Sequence, residues 1–148
     1  MDLTGGFAFY LDRTLKRIQL TYLRHFKKHN IDLTIEQWVI LQRIYQLQPE
    51  ASQSEITKTN YRDKAATSKV IAGLQKKGLI LKERFEDDQK RYKLVITKKG
   101  EALVESTLPL AVELRNVGHS NIPEKDFDIF MKVVNQIWEN YNAMDENR

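Results

Sequence analysis

The spacing of hydrophobic residues changes near residue 79, and this change limits the possible folds of the chain. Before that point, apolar residues recur at steps of three and four, which is the spacing of amphipathic helices. Residues 79–85 and 91–97 instead read as two extended runs, and apolar and polar side chains alternate in the second run. The five residues between the runs are all polar. The pattern therefore predicts two strands joined as a β-hairpin.

Capping residues divide the segment before the hairpin into three short helices. Residues 34–37 and 52–55 each match a capping box, in which a hydroxyl side chain caps a free amide and a Glu or Gln side chain reaches back. A break is expected at residues 59–61, after which Asp63 is placed to cap the third helix. Gly78 stands at the C-cap position of that helix.

Longer helices are predicted on both sides of this region. The apolar residues between Phe7 and Phe26 mark a helix of about five turns. After the hairpin, Thr97 is placed to cap a long helix, residues 118–121 read as a turn, and Pro123 suits the first turn of an aromatic-rich last helix. The predicted fold is mostly α with a small β-hairpin wing, a winged helix-turn-helix with long terminal helices.

Composition limits the classes of function open to the chain. Its 148 residues suit a single domain. The absence of cysteine removes disulfides, thiol nucleophiles and cysteine-based zinc sites. No apolar run approaches the roughly 18 residues of a membrane span, and residues 1–4 do not resemble a signal peptide. We therefore expect a cytoplasmic protein with no membrane partner.

Motifs of catalysis and metal binding are not apparent. The sequence has no Gly-rich phosphate loop and no GxSxG motif, and the carboxylates of Asp87 and Asp88 fall in an exposed polar turn. His25 and His29 are four residues apart on a helix, as zinc ligands often are, but there is no HExxH pattern around them. We expect no enzyme activity, no cofactor and no metal site, and interpret the two histidines as surface residues.

Basic residues are concentrated in the middle of the chain. Residues 58–99 hold 13 basic and five acidic residues, a net charge of +8, whereas the remainder holds 11 basic and 15 acidic residues. A basic segment between acidic flanks is typical of a nucleic-acid surface. The alternative interpretation is a solvated, lysine-rich face. Charge alone does not distinguish this face from a nucleic-acid surface, whereas the pattern of residues along the helices does.

The third short helix is the candidate reading helix. In a winged helix-turn-helix, the second helix of the motif enters the major groove and the hairpin lies along the phosphate backbone or in the minor groove. Setting Val70 and Leu74 toward the core leaves small and polar side chains on the outside. The residues predicted to enter the groove are Lys64, Ala65, Thr67, Ser68 and Lys69.

The wing and the preceding helix supply further candidates. Lys90 and Arg91 are predicted to contact DNA from the hairpin, and Asp88 is expected to hydrogen-bond back and shape its tip. Gln53 and Ser54, at the start of the helix before the reading helix, are predicted phosphate contacts.

An ordered set of short motifs runs from the reading helix to the end of the hairpin. The motifs are Ser68-Lys69, Leu74-Gln75-Lys76-Lys77-Gly78-Leu79-Ile80, Asp88-Gln89-Lys90-Arg91 and Ile96-Thr97-Lys98-Lys99-Gly100. At these spacings the set resembles the core signature of the MarR (multiple antibiotic resistance) family of bacterial transcriptional regulators. The helices on both sides extend the resemblance over nearly all 148 residues.

Two departures from the family pattern affect the predicted contacts. The family pattern has an arginine in the reading helix where this chain has Lys69. Lysine offers a point charge in place of the planar, bidentate hydrogen bonding of arginine. The arginine pair of the wing appears as Gln89 and Lys90, with Arg91 one position later.

The resemblance implies a homodimer bound to double-stranded DNA. Residues 1–30 and 101–148 would be dimerisation helices, and residues 31–100 the DNA-binding lobe of one MarR-type domain. Such proteins usually repress transcription from a near-palindromic operator and are released by a small-molecule effector. Two alternatives stay open: a winged-helix protein-interaction module that docks an acidic partner, and a DNA-binding protein without an effector. The polar residues 67–69 favour DNA, because a protein interface would favour aromatic or leucine anchors there.

Overall fold

The computed structural model describes residues 6–59 and 63–146. Within those ranges the chain forms six helices and one two-stranded sheet, so the predicted order of elements is confirmed. The elements are α1 (Gly6–Lys28), α2 (Ile35–Gln46), α3 (Gln53–Thr59), α4 (Lys64–Lys76), β1 (Ile80–Arg84), β2 (Tyr92–Ile96), α5 (Lys98–His119) and α6 (Glu124–Glu146).

The start of α2 has the predicted capping box. The Gln37 amide donates to the Thr34 hydroxyl at 3.1 Å, and the Gln37 side-chain oxygen accepts from the Thr34 amide at 3.1 Å. In α3, the Glu55 amide donates to the Ser52 hydroxyl at 3.1 Å. These bonds satisfy amides that a helix start leaves unpaired, so each helix begins where its capping residue stands.

The hairpin is antiparallel, with a register running from Ile80 opposite Ile96 to Arg84 opposite Tyr92. The connection between α2 and α3 adds a pairing that sequence analysis did not anticipate. The Leu94 amide donates to the Ala51 carbonyl at 2.8 Å, and Ser52 forms an isolated bridge with Lys93. This pairing attaches β2 to the start of α3.

Three predicted boundaries differ from the structure or cannot be compared with it. The expected turn at 118–121 is shorter, because α5 continues to His119 and the chain reverses at Asn121, whose φ is +62°. Pro123 precedes α6, and its carbonyl accepts from the amides of Asp126 and Phe127. Thr59 ends α3, while residues 60 and 61 of the predicted break lie outside the described residues.

Two compact units make up the chain, Met1–Ala111 and Val112–Arg148. In the first unit, α2 packs against α4 and the hairpin, and α3 packs against β2. Its core consists of fully buried side chains from each of these elements, among them Leu41, Ile44, Ile56, Leu74 and Leu94. This packing places α3, α4 and the hairpin beside one another.

The terminal helices have long exposed apolar stripes. In α1, Phe26 is buried, whereas Phe7, Leu15 and Ile18 are exposed. No residue of α6 is buried, and its exposed side chains include Trp138. None of the helices within residues 6–59 and 63–146 has an apolar stretch of the length that a membrane span requires.

Candidate nucleic-acid interface

The helix α4 is bounded by signals that lie within its own sequence. The Asp63 carboxylate accepts from the Ala66 amide at 2.7 Å and caps the start. At the other end Gly78 has a φ of +73°, and the Leu79 amide donates back to the Leu74 carbonyl. This is the left-handed ending that glycine favours, so the helix stops immediately before the hairpin.

The buried face of α4 differs from the predicted one. Thr67, Ile71 and Leu74 are buried, with Thr67 at 0% exposure, whereas Val70 is only half-buried. These three positions are spaced by four and three residues and therefore share one face. The expectation that Thr67 faces a DNA groove is wrong for this structure, because its side chain lies in the core.

The outward face of α4 carries the remaining predicted residues of the reading helix. Lys64, Ala65 and Lys69 are exposed and Ser68 is half-buried. Two further exposed residues, Ala72 and Lys76, were missed by sequence reasoning. The signal that could have found them is the spacing of four, three and four residues that joins Ala65, Lys69, Ala72 and Lys76. We call these four residues the outward stripe of α4.

A groove of about 570 Å³ lies between α3, the start of α4 and the hairpin. It brings together five residues that the sequence had placed at the DNA interface, namely Gln53, Ser54, Lys64, Lys90 and Arg91. It adds four that sequence analysis had not selected, namely Thr57, Lys58, Lys82 and Tyr92. Five of the nine residues are cationic. We call this the basic groove.

The tip of the hairpin is held by hydrogen bonds that two backbone amides donate to Asp88. Its carboxylate accepts from the Lys90 amide at 3.0 Å, and its carbonyl accepts from the Arg91 amide at 3.2 Å. The Arg84 guanidinium donates to the carbonyl of Gln89 across the same turn. Asp88 thus uses its negative charge within the turn, and Lys90 and Arg91 are exposed.

Aromatic rings lie beneath several cations of the wing. The Arg91 guanidinium is 4.4 Å from the centre of the Phe85 ring. The Lys82 ammonium and the Arg84 guanidinium are 4.2 and 5.0 Å from the centre of the Tyr92 ring. All three distances are within the range of cation–π attraction.

Comparison with known proteins identifies this arrangement. The sequence model described as MarR family matches residues 33–92, from the residues before α2 to the start of β2. Residues 33–92 thus form a MarR-family segment. The MarR family consists of winged-helix, DNA-binding regulators of transcription.

Solved structures share the fold over nearly the whole of this chain. MarR itself is 22% identical, with a TM-score of 0.75, and the match covers 100% of this chain and 99% of that one. MepR of S. aureus, in a complex with DNA, is 22% identical, with a TM-score of 0.80 and coverage of 88% and 96%. BpsR of Bordetella bronchiseptica, whose DNA binding is regulated by 6-hydroxynicotinic acid, is 19% identical, with a TM-score of 0.81 and coverage of 93% and 96%.

Some basic residues in the middle of the chain are used in its own packing. The Lys77 ammonium donates to the Asp32 carbonyl and to the Gln37 side-chain oxygen, both at 2.8 Å. The Lys99 ammonium donates to the Lys77 carbonyl at 2.8 Å. These bonds join α2, α4 and α5, so the charge count of the sequence overstates the charge available to DNA.

Gln53 has an unused polar atom beside the basic groove. Its side-chain oxygen is buried and has no hydrogen-bond partner among the described residues. Rotating a side-chain amide by 180° exchanges the positions of its oxygen and its nitrogen. Such a half-turn would present N–H donors where the oxygen now lies.

The described part of the chain, residues 6–59 and 63–146, holds no group of three His, Asp or Glu side chains arranged to bind a metal ion. The rings of His25 and His29 are stacked with centres 6.4 Å apart, and the His29 Nδ1 lies 2.8 Å from the His25 carbonyl.

Proposed function

We propose that this protein is a homodimeric repressor that binds a near-palindromic operator in double-stranded DNA and is released by a small-molecule effector. The observation that carries the DNA-binding part is the position of the basic groove directly beside the start of α4. A cationic groove next to an exposed helix with small side chains suits a duplex, whose backbone and major groove lie side by side.

Two surfaces contact different parts of the DNA. The outward stripe of α4 enters the major groove, where two alanines allow close approach and Lys69 donates to guanine acceptors. The basic groove holds backbone phosphates through Gln53, Ser54 and Lys64, and the wing adds Lys90 and Arg91. Phosphate contacts position the protein, whereas base contacts determine sequence preference.

Dimerisation is supported by the exposed apolar stripes of α1 and α6. An apolar stripe that is left exposed marks an interaction surface. In this proposal, residues 1–30 and 101–148 of two copies cover one another, and residues 31–100 form the DNA-binding lobe. A twofold axis between two reading helices requires half-sites about 34–36 Å apart, and hence a near-palindromic operator.

Release by an effector is proposed from the relative in Bordetella bronchiseptica that responds to 6-hydroxynicotinic acid. A ligand of this kind acts by binding one spacing of the two reading helices better than another, which shifts the population away from the DNA-binding form.

The test is a fluorescence-anisotropy titration of purified protein. It compares duplexes from upstream of its own gene with a scrambled duplex at two salt concentrations. We expect salt-sensitive binding, much tighter on one near-palindromic fragment, with a stoichiometry of two chains per site. Equal, weak binding to all fragments would contradict sequence-specific recognition, and capture of an acidic protein by the basic groove would then favour the protein-interaction module. Binding that candidate aromatic acids do not alter would favour an effector-independent protein.

A further inference from the structure

Three cations of the hairpin rest on two aromatic rings, and this arrangement follows from the strand register. Arg84 pairs directly with Tyr92, and Lys82 lies two residues earlier on the same face of β1. Lys82 and Arg84 therefore converge on one ring. Glu83 stands between them in sequence, but alternation turns it to the other face, where it pairs with Lys93.

The second ring is anchored in the core. Phe85 is only 9% exposed, and its amide donates to the Arg91 carbonyl at 3.2 Å. The Arg91 guanidinium lies over this ring. Phe85 thus fixes both the backbone and the side-chain head of Arg91.

Two like charges over one ring create a site that favours an anion. Lysine and arginine side chains lose considerable rotamer freedom when they bind, and a ring that already holds them reduces this loss. Lys82, Arg91 and Tyr92 all line the basic groove. Lys82 and Arg91 therefore face the space assigned to the DNA backbone, whereas Arg84 donates to the Gln89 carbonyl within the turn.

We propose that Tyr92 and Phe85 are positioning residues of the DNA interface, whose rings hold Lys82 and Arg91 in place to receive backbone phosphates. This inference rests on the proposed function. It assigns a role to residues that need not touch DNA themselves, and it explains why an aromatic side chain lines a cationic groove.

The test uses Tyr92, which is half-buried and can be changed with less risk to the fold than Phe85. Tyr92→Ile keeps a side chain that favours strands but removes the ring, and Tyr92→Phe keeps the ring but removes the hydroxyl. We expect Tyr92→Ile to weaken binding to a random duplex by about threefold to tenfold, and Tyr92→Phe to bind like the wild type. The salt slope should stay unchanged, because the number of neutralised phosphates is the same. Tyr92→Thr replaces Tyr92→Ile if circular dichroism shows that the latter is unfolded.

A double-mutant cycle separates positioning from a merely structural role. In a Lys82→Met/Arg84→Met background, Tyr92→Ile should cause little further loss of affinity, because the cations that the ring holds are gone. The same loss in both backgrounds, or a loss in Tyr92→Phe as large as in Tyr92→Ile, would overturn the inference alone. No salt-sensitive binding by the wild type would overturn the proposed function and this inference together.

Discussion

A Cβ atom on Gly100 would overlap the carbonyl oxygen of Leu79. That carbonyl also accepts a hydrogen bond from the Thr97 amide at 3.0 Å, so it cannot move without breaking the junction between the hairpin and α5. Glycine at position 100 is therefore a steric requirement of this fold.

Replacing Gly100 by alanine should destabilise the protein by about 1–3 kcal/mol, the usual cost of overpacking. Gly118→Ala is the matched control, because it lies in the same helix and a Cβ there would meet nothing within 4 Å. The control should be neutral or stabilising by up to about 1 kcal/mol. Urea unfolding followed by circular dichroism measures both changes. Equal stability of Gly100→Ala and the wild type would contradict the close contact.

A second prediction concerns the buried hydroxyl of Thr107. It is 0% exposed, and no hydrogen-bond partner is found for it among residues 6–59 and 63–146. Thr107→Val should therefore raise the free energy of unfolding by about 1 kcal/mol, since it removes an unpaired polar group while keeping the shape.

Thr97→Val is the same substitution as Thr107→Val, but it should lower the free energy of unfolding. The Thr97 hydroxyl donates to the Gly78 carbonyl at 2.7 Å and accepts from the Gly100 amide at 3.0 Å. Its loss should cost about 1–2 kcal/mol. Thermal melts of the two variants should move in opposite directions, and a destabilised Thr107→Val would show that its hydroxyl is paired.

A third prediction addresses base reading by Lys69. Lys69→Ala should weaken binding to the operator by about 1–3 kcal/mol and leave binding to a scrambled duplex nearly unchanged. Lys27→Ala, at the exposed end of α1, is the control and should bind like the wild type. Anisotropy titrations on both duplexes give the comparison. An equal loss on both would make Lys69 a phosphate contact.

A fourth prediction concerns the charge of Arg91. Arg91→Ala should reduce the slope of log affinity against log salt by about one unit, because one phosphate is no longer neutralised. Titrations at four or five salt concentrations determine the slope. A slope equal to that of the wild type would remove Arg91 from the interface.

Local signals made much of the fold predictable. The Thr34–Gln37 capping box, the Asp63 cap and the left-handed Gly78 involve groups within a few residues of one another, and each was visible as a short pattern. The change of period at residue 79 likewise predicted the hairpin, since alternation is a property of the strand itself.

The order of helices and strands, and the family pattern that runs through them, can be read from the amino-acid sequence alone. The burial of Thr67, the bond from Lys77 to α2 and the position of Arg91 over Phe85 depend on how the elements pack together. The two groups of features differ in the range of the interactions that produce them. Caps and turns depend on neighbours within about four residues, whereas the buried face of a helix and the partner of a cation depend on which other elements pack against it.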